Sequence, residues 1–251
     1  MSKTKPNRAL AVLELFSEQQ PLWSPEDMMR ELGYSRPTLY RQLKSLKDAG
    51  FLSAVRGGFS LGPRIVEMDF LSREADPLIA GAAPHLARLV AARPCTALIV
   101  RWYGDKMLCV ASQSSADSPR TSYPRGKPMP MGRGAISRSI LAFLPKRRLL
   151  PLIEAYADDL RDVGTGATLD EVIATLRKIR RNGVAVAFGE VTPGAVGIAA
   201  PILDAGEPVA SLCVTIAGRH ADGKAIDQIG DEVRSAARDI SKISSSSNLD
   251  I

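Results

Sequence analysis

Apolar positions in the first sixty residues recur at helical spacing and are interrupted at glycines. Asn7 can cap a helix carrying Leu10, Leu13 and Phe16. Ser24 precedes Pro25, Glu26 and Asp27. A hydroxyl cap, a proline at the first helical position and acids at the positive end of the dipole predict a second helix, running through Met28 and Met29 and stopping at Gly33. From Ser35, with Pro37 tolerated in the first turn, Leu39, Leu43 and Leu46 fall at intervals of four and three and form one narrow stripe. At about 100° per residue, Tyr40, Arg41, Lys44 and Ser45 lie on the flank and face away from that stripe, and Ser35, Arg36 and Thr38 occupy its amino end. After Gly50 the pattern changes. Phe51 to Val55 and Phe59 to Leu61 flank Arg56-Gly57-Gly58, which predicts two short strands about a glycine turn with Arg56 at the tip.

Helix, glycine turn, helix and basic hairpin, in that order and at these lengths, read as a winged helix-turn-helix. A helix that buries leucines and turns Arg, Lys, Tyr, Ser and Thr outward can sit in the DNA major groove, where arginine bonds guanine edges and hydroxyls reach bases or phosphates. Arg56 would then meet the adjacent backbone or minor groove. Between Ser35 and Arg64 stand Arg36, Arg41, Lys44, Lys47, Arg56 and Arg64 against the single acid Asp48. Phosphate binding requires such a local cationic face. The competing interpretation is an amphipathic helix whose charges are merely solvated.

Farther along, Ile65 to Glu74 predicts a linker helix, and Asp76-Pro77 marks a boundary. Leu78 to Ala92 predicts a helix that Pro84 kinks or divides. From Cys95 the period shortens to two: Thr96 to Tyr103 and Lys106 to Gln113 predict a hairpin about Gly104-Asp105. Ser114 to Pro130 is irregular. Ile136 to Leu144 and Lys146 to Ala157 predict helices split at Pro145. Thr168 caps a helix from Leu169 to Arg181, ended by Asn182-Gly183. Val184 to Phe188, Val196 to Leu203 and Pro208 to Ala217 predict strands, Asp222 to Ile243 a last helix, and Ser244 to Ser247 the start of a frayed tail. The expected class is therefore α+β, an antiparallel sheet with helices inserted and appended, lacking the strand-helix alternation of a doubly wound fold. The domains are residues 1–63, a linker over 64–76, and 77–251.

Composition changes this picture little. The 251 residues are 45% hydrophobic and 24% charged, ordinary for a globular chain. The net charge of +6 favours polyanionic partners but is a weak witness, since residues 1–75 hold eleven basic and nine acidic side chains. Met1 to Pro6 forms a short basic arm that could touch phosphates. Cys95, Cys109 and Cys213 are far apart, each in an apolar strand-like run, and lack Cys-x-x-Cys spacing. They are expected as buried free thiols of a cytoplasmic protein. No apolar run approaches the roughly twenty residues of a membrane span.

His85 and His220 fit no metal motif, and no Gly-x-Ser-x-Gly elbow, Walker loop or dinucleotide fingerprint is present. No cofactor, metal or catalytic residue is expected. Asp158-Asp159 is expected to be solvated at a helix end. Two function classes remain: a DNA-binding regulator that responds to an effector, or a small-molecule-binding protein or enzyme whose helical head serves protein interaction.

Several stretches together resemble the IclR family of bacterial transcriptional regulators. They are Leu32-Gly33-Tyr34-Ser35-Arg36-Pro37-Thr38-Leu39-Tyr40-Arg41, the wing exit Phe59-Ser60-Leu61-Gly62-Pro63, Pro130-Met131 through Ile140-Leu141-Ala142-Phe143-Leu144-Pro145, and Ile198-Ala199-Ala200-Pro201-Ile202. The resemblance implies an amino-terminal winged helix that dimerises and a carboxy-terminal domain, similar to GAF and PAS sensors, that binds a small molecule. It implies homodimers or tetramers on palindromic operators in double-stranded DNA, controlling catabolic genes. Carried over by motif, the effector-contacting positions fall at Ala135, Ile136, Ala187, Gly197, Thr215 and Ala217. Among these only Thr215 offers a side-chain hydrogen bond, which suggests a bulkier or more apolar effector, such as an aromatic or bulky organic acid.

One charge pattern points partly the other way. Between Asp117 and Glu154 no acid occurs, while Arg120, Arg125, Lys127, Arg133, Arg138, Lys146, Arg147 and Arg148 accumulate. With Gly132-Arg133-Gly134 ahead of a helix, backbone N–H groups and Arg133 could bind a carboxylate or phosphate. A solvated face or an oligomer contact is the alternative.

Overall fold

In a computed structural model the chain divides into two compact units between Ala75 and Asp76. Residues 7–119 and 122–247 are described, without side chains from 244 onward. The basic arm at Met1 to Pro6 and Arg120 lie outside them.

The first unit holds α1 (Arg8–Glu14), α2 (Pro25–Leu32), α3 (Arg36–Asp48), β1 (Leu52–Val55), β2 (Gly58–Leu61) and α4 (Pro63–Glu74). Asn7 caps α1 through the Ala9 N–H, and the Ser24 hydroxyl caps α2 by accepting from the Asp27 N–H. Gly33 ends α2 in the left-handed region at φ 64°, which a side chain would resist. Leu39, Leu43 and Leu46 of α3 pack with Val12, Trp23, Met28 and Leu52 as this unit's core. Burying one such side chain contributes about 1.5–3 kcal/mol, so the seam fixes the rotation of α3. β1 and β2 pair antiparallel, with Leu52 opposite Leu61. Sequence reasoning overlooked a third element of this wing. Trp23 and Phe59 exchange backbone hydrogen bonds of 3.0 and 2.9 Å, and a Cβ at Gly58 would lie 2.1 Å from the Trp23 carbonyl oxygen.

In the second unit, α5 (Pro77–Ala92) leads into a six-stranded antiparallel sheet of β3 (Thr96–Trp102), β4 (Met107–Ser114), β5 (Pro128–Met129), β6 (Ala185–Phe188), β7 (Ala195–Asp204) and β8 (Glu207–Ala217). The strand order is β5-β4-β3-β8-β7-β6. Between β5 and β6 come α6 (Ala135–Leu141), α7 (Lys146–Ala155), α8 (Ala157–Asp162) and α9 (Leu169–Asn182), and α10 (Gly223–Ser247) closes the unit. Strand side chains alternate between two cores. Ala97, Ile99, Ile198, Leu212 and Val214 pack with α5 and α10, whereas Leu98, Val100, Ala199 and Cys213 pack with α6 to α9.

Four expectations are corrected here. Pro84 does not divide the helix in two: it lies on the exposed side of a continuous α5, where water can serve the freed carbonyl while Leu78, Ala82, Leu86 and Leu89 stay buried. The irregular stretch after Ser114 contains the two-residue strand β5. α10 continues through Ser244 to Ser247, where a frayed tail was expected. Asp159, expected as solvated, is only half-exposed and holds Arg133, while Asp158 is exposed as expected.

Candidate nucleic-acid interface and effector pocket

The outward face of α3 carries the side chains that the spacing placed there. Ser35, Arg36, Tyr40, Arg41, Lys44 and Ser45 are exposed, Thr38 is half-buried, and Arg56 is exposed at the hairpin tip. Ser35 makes no side-chain cap; its hydroxyl instead donates to Thr38 Oγ1 at 3.0 Å. The first-turn amides therefore lack a side-chain acceptor and point out of a positive helix end. The Arg36 guanidinium lies 5.4 Å from the centroid of the Tyr40 ring, a cation-π contact that restrains it near the helix surface. Among the described residues, Arg36, Arg41, Lys44, Lys47 and Arg56 have no carboxylate partner; Arg64 does, with Glu67 at 2.6 Å.

A cavity of about 50 Å³ opens into a cleft between the α6 start, the turn joining β6 to β7, and the sheet. Six residues placed by sequence reasoning line it: Arg133, Ala135, Ile136, Ala187, Gly197 and Thr215. Ala217, two residues beyond Thr215 on β8, does not. Sequence reasoning missed Leu98, Met107, Cys213, Val191, Thr192 and Glu190 in this lining. Strand alternation from Thr215 would have found Cys213, and register then leads to Leu98 opposite it. Glu190 carried its own signal, as the one charged residue between Val184 and Leu203.

Electrostatics in the pocket differ from expectation. Arg133 is turned away to Asp159 of α8, with Asp162 at 3.9 Å, and the Asp159 carboxylate raises the guanidinium pKa further. The Gly134 N–H is not free either: it donates to Glu190 Oε2 at 2.8 Å. Arg138 is buried, donating to Glu190 Oε1 at 2.6 Å, to Thr165 Oγ1 at 3.1 Å and to the Val186 carbonyl at 2.9 Å. Ser137 donates to the Met131 carbonyl and Thr192 to Ser122 Oγ. Burial pushes the Cys213 thiol up to about 12, so it stays protonated and unreactive against the ligand space. Cys95, Cys109 and Cys213 are all free and buried. Among the described residues no cluster of His, Cys, Asp and Glu could hold a metal ion, and no helix is long and apolar enough to cross a membrane.

An exposed, cation-bearing helix-turn-helix with a basic wing, followed by a separate sheet domain that contains a cavity, is the arrangement of a helix-turn-helix transcriptional regulator. Comparison with known proteins agrees. Residues 7–56 match the IclR helix-turn-helix domain and residues 73–242 the bacterial transcriptional regulator IclR C-terminal domain. The chain belongs to the IclR family of transcriptional regulators. It is 26% identical over 242 residues to the HTH-type transcriptional regulator KipR of Bacillus subtilis, covering 94% of each chain. Its fold matches that of Thermotoga maritima IclR, with TM-score 0.69 and 20% identity, over 95% of this chain and 97% of that one. It also matches an IclR homologue from Microbacterium hydrocarbonoxydans complexed with 4-hydroxybenzoate, with TM-score 0.73 and 21% identity, over 95% and 98% of the two chains.

Proposed function

We propose that this regulator reads a palindromic operator through α3 and the wing, with the operator controlling catabolic genes. In this arrangement Arg36, Arg41, Lys44 and Ser45 approach base edges in the major groove. Ser35, Thr38 and Tyr40 hold phosphates at the helix start, and Arg56 meets the backbone beside the adjacent minor groove. The observation that carries this is the set of exposed cations without carboxylate partners on a helix whose rotation a leucine seam fixes. Fluorescence anisotropy with duplex from the gene's own upstream region tests it. Arg41→Ala should weaken binding to that sequence and leave random duplex nearly unaffected; equal binding by wild type and variant would count against the assignment.

Reading a palindrome calls for a symmetric pair of such helices. α4 buries none of its residues and exposes Val66, Met68, Phe70 and Leu71 by 46 to 71%. A second copy of the chain is the partner that would cover them, making a dimer the smallest active unit and a tetramer a pair of these. Phe70→Glu with Leu71→Glu should shift the sedimentation coefficient to that of a monomer and abolish operator binding.

The cavity lined by Ala135, Ile136, Ala187, Gly197 and Thr215 is the effector site in this scheme. Its occupancy changes operator affinity by favouring one of two conformations. The lining is mostly small and apolar, which suits an apolar or aromatic molecule entering from the open cleft better than a tiny polar acid.

A further inference from the structure

We propose that the cavity selects an uncharged carbonyl or phenol-type ligand over a carboxylate, with Glu190 as the residue that sets this preference. The inference rests on reading the cavity as the effector site.

Among the described residues, the two arginines at and behind the lining are neutralised by acids of the chain itself. Arg133, at the rim, is held by Asp159. Arg138 lies behind the lining with its side chain 7% exposed and is held by Glu190. Glu190 itself faces the cavity. A ligand therefore meets the carboxylate directly and the guanidinium only through it.

Both Glu190 oxygens are engaged, one by Arg138 and one by the Gly134 N–H, so the carboxylate is fixed at the α6 entrance. The hydroxyls of Ser137 and Thr192 donate to groups of the chain. Thr215 has only a weak contact, 3.9 Å from Cys213 Sγ, and can bond a ligand instead.

A carboxylate entering this space would lose its water, find no unneutralised cation among the described residues and lie beside a second carboxylate whose oxygens Arg138 and the Gly134 N–H already occupy. A neutral carbonyl or phenol loses less hydration and needs only one partner, which Thr215 supplies.

The test uses three molecules with one ring: 4-hydroxybenzoate, its methyl ester and 4-hydroxybenzaldehyde. Each is titrated calorimetrically at pH 6.0, where the acid is ionised and both phenols are neutral, into the full-length protein, its Glu190→Gln variant and its Gly197→Leu variant. The wild type should bind the ester and aldehyde at least tenfold tighter than the acid. Glu190→Gln keeps an oxygen for the Gly134 N–H while removing the charge, and should narrow that ratio to about threefold or less. Should Glu190→Gln fail to fold, the wild-type ratio decides alone.

Gly197→Leu places a side chain between Ala135 Cβ and Cys213 Sγ, each 3.7 Å from where its Cβ would stand, and should abolish binding of the neutral ligands. Equal or tighter binding of the acid by the wild type would overturn the proposed selectivity. An unchanged ratio in folded Glu190→Gln would overturn the role of Glu190. Ester binding that survives Gly197→Leu, or silence from all three molecules, would overturn the reading of the cavity as the effector site.

Discussion

Arginine is used in opposite ways in the two units. On α3 and the wing, Arg36, Arg41 and Arg56 stand in solvent, and none has a carboxylate partner among the described residues. Around the cavity of the second unit, Arg133 and Arg138 are each tied to a carboxylate of the same chain. A surface that is to meet phosphates gains by leaving its cations uncompensated, because the incoming anions and the counterions they release supply the free energy. A guanidinium without water must have a partner built into the fold, since a buried lone charge is costly. Local sequence therefore says little about what an arginine will bind; the acids that the fold brings beside it decide.

Removing each kind of arginine should separate the two uses. The largest effect is expected for Arg138→Ala, which leaves Glu190 mostly buried without its partner and should cost about 3–5 kcal/mol of stability. Urea unfolding followed by circular dichroism would show it, and a change below about 1 kcal/mol would mean that Glu190 finds water. Next comes Arg41→Ala, expected to leave stability within about 0.5 kcal/mol while costing about 1–3 kcal/mol of operator affinity if Arg41 reads a base. Lys47→Ala should weaken binding less, equally for all sequences, and lower the salt slope by about one.

A smaller effect again is expected for Thr215→Val. Loss of one hydrogen bond should weaken the response to a bound effector by about 0.5–1.5 kcal/mol and leave effector-free operator binding unchanged. Parallel loss of both would mark Thr215 as structural. Arg133→Ala should be the mildest, below about 1 kcal/mol in stability, because its pair with Asp159 is about one-third exposed and screened by water. A large loss there would show that α8 depends on this contact.

How much could be read in advance differs between the units for physical reasons. The α3 face was legible because a helix presents its residues at a fixed angle, so Leu39, Leu43 and Leu46 determine where Arg41 and Lys44 point. Caps at Asn7, Ser24 and Thr168 were legible because they act over three residues or fewer. The cavity was only partly legible. Its lining comes from distant stretches, and the partners that neutralise Arg133 and Arg138 lie 26 and 52 residues away. No local rule connects Gly134 to Glu190, or Trp23 to Phe59. Ala217 lies outside the lining because motif matching assigns positions along a strand without saying where a cavity ends.

The link from Trp23 to Phe59 has a consequence for how far the hairpin tip can wander. With β2 fastened to the stretch that leads into α2, and Gly58 pressed against the Trp23 carbonyl, hairpin and helices turn as one rigid piece. The reach of Arg56 is then a matter of hairpin length alone. A residue added between Glu18 and Leu22 would be absorbed as slack, whereas one added beside Gly57 would move the guanidinium along the duplex.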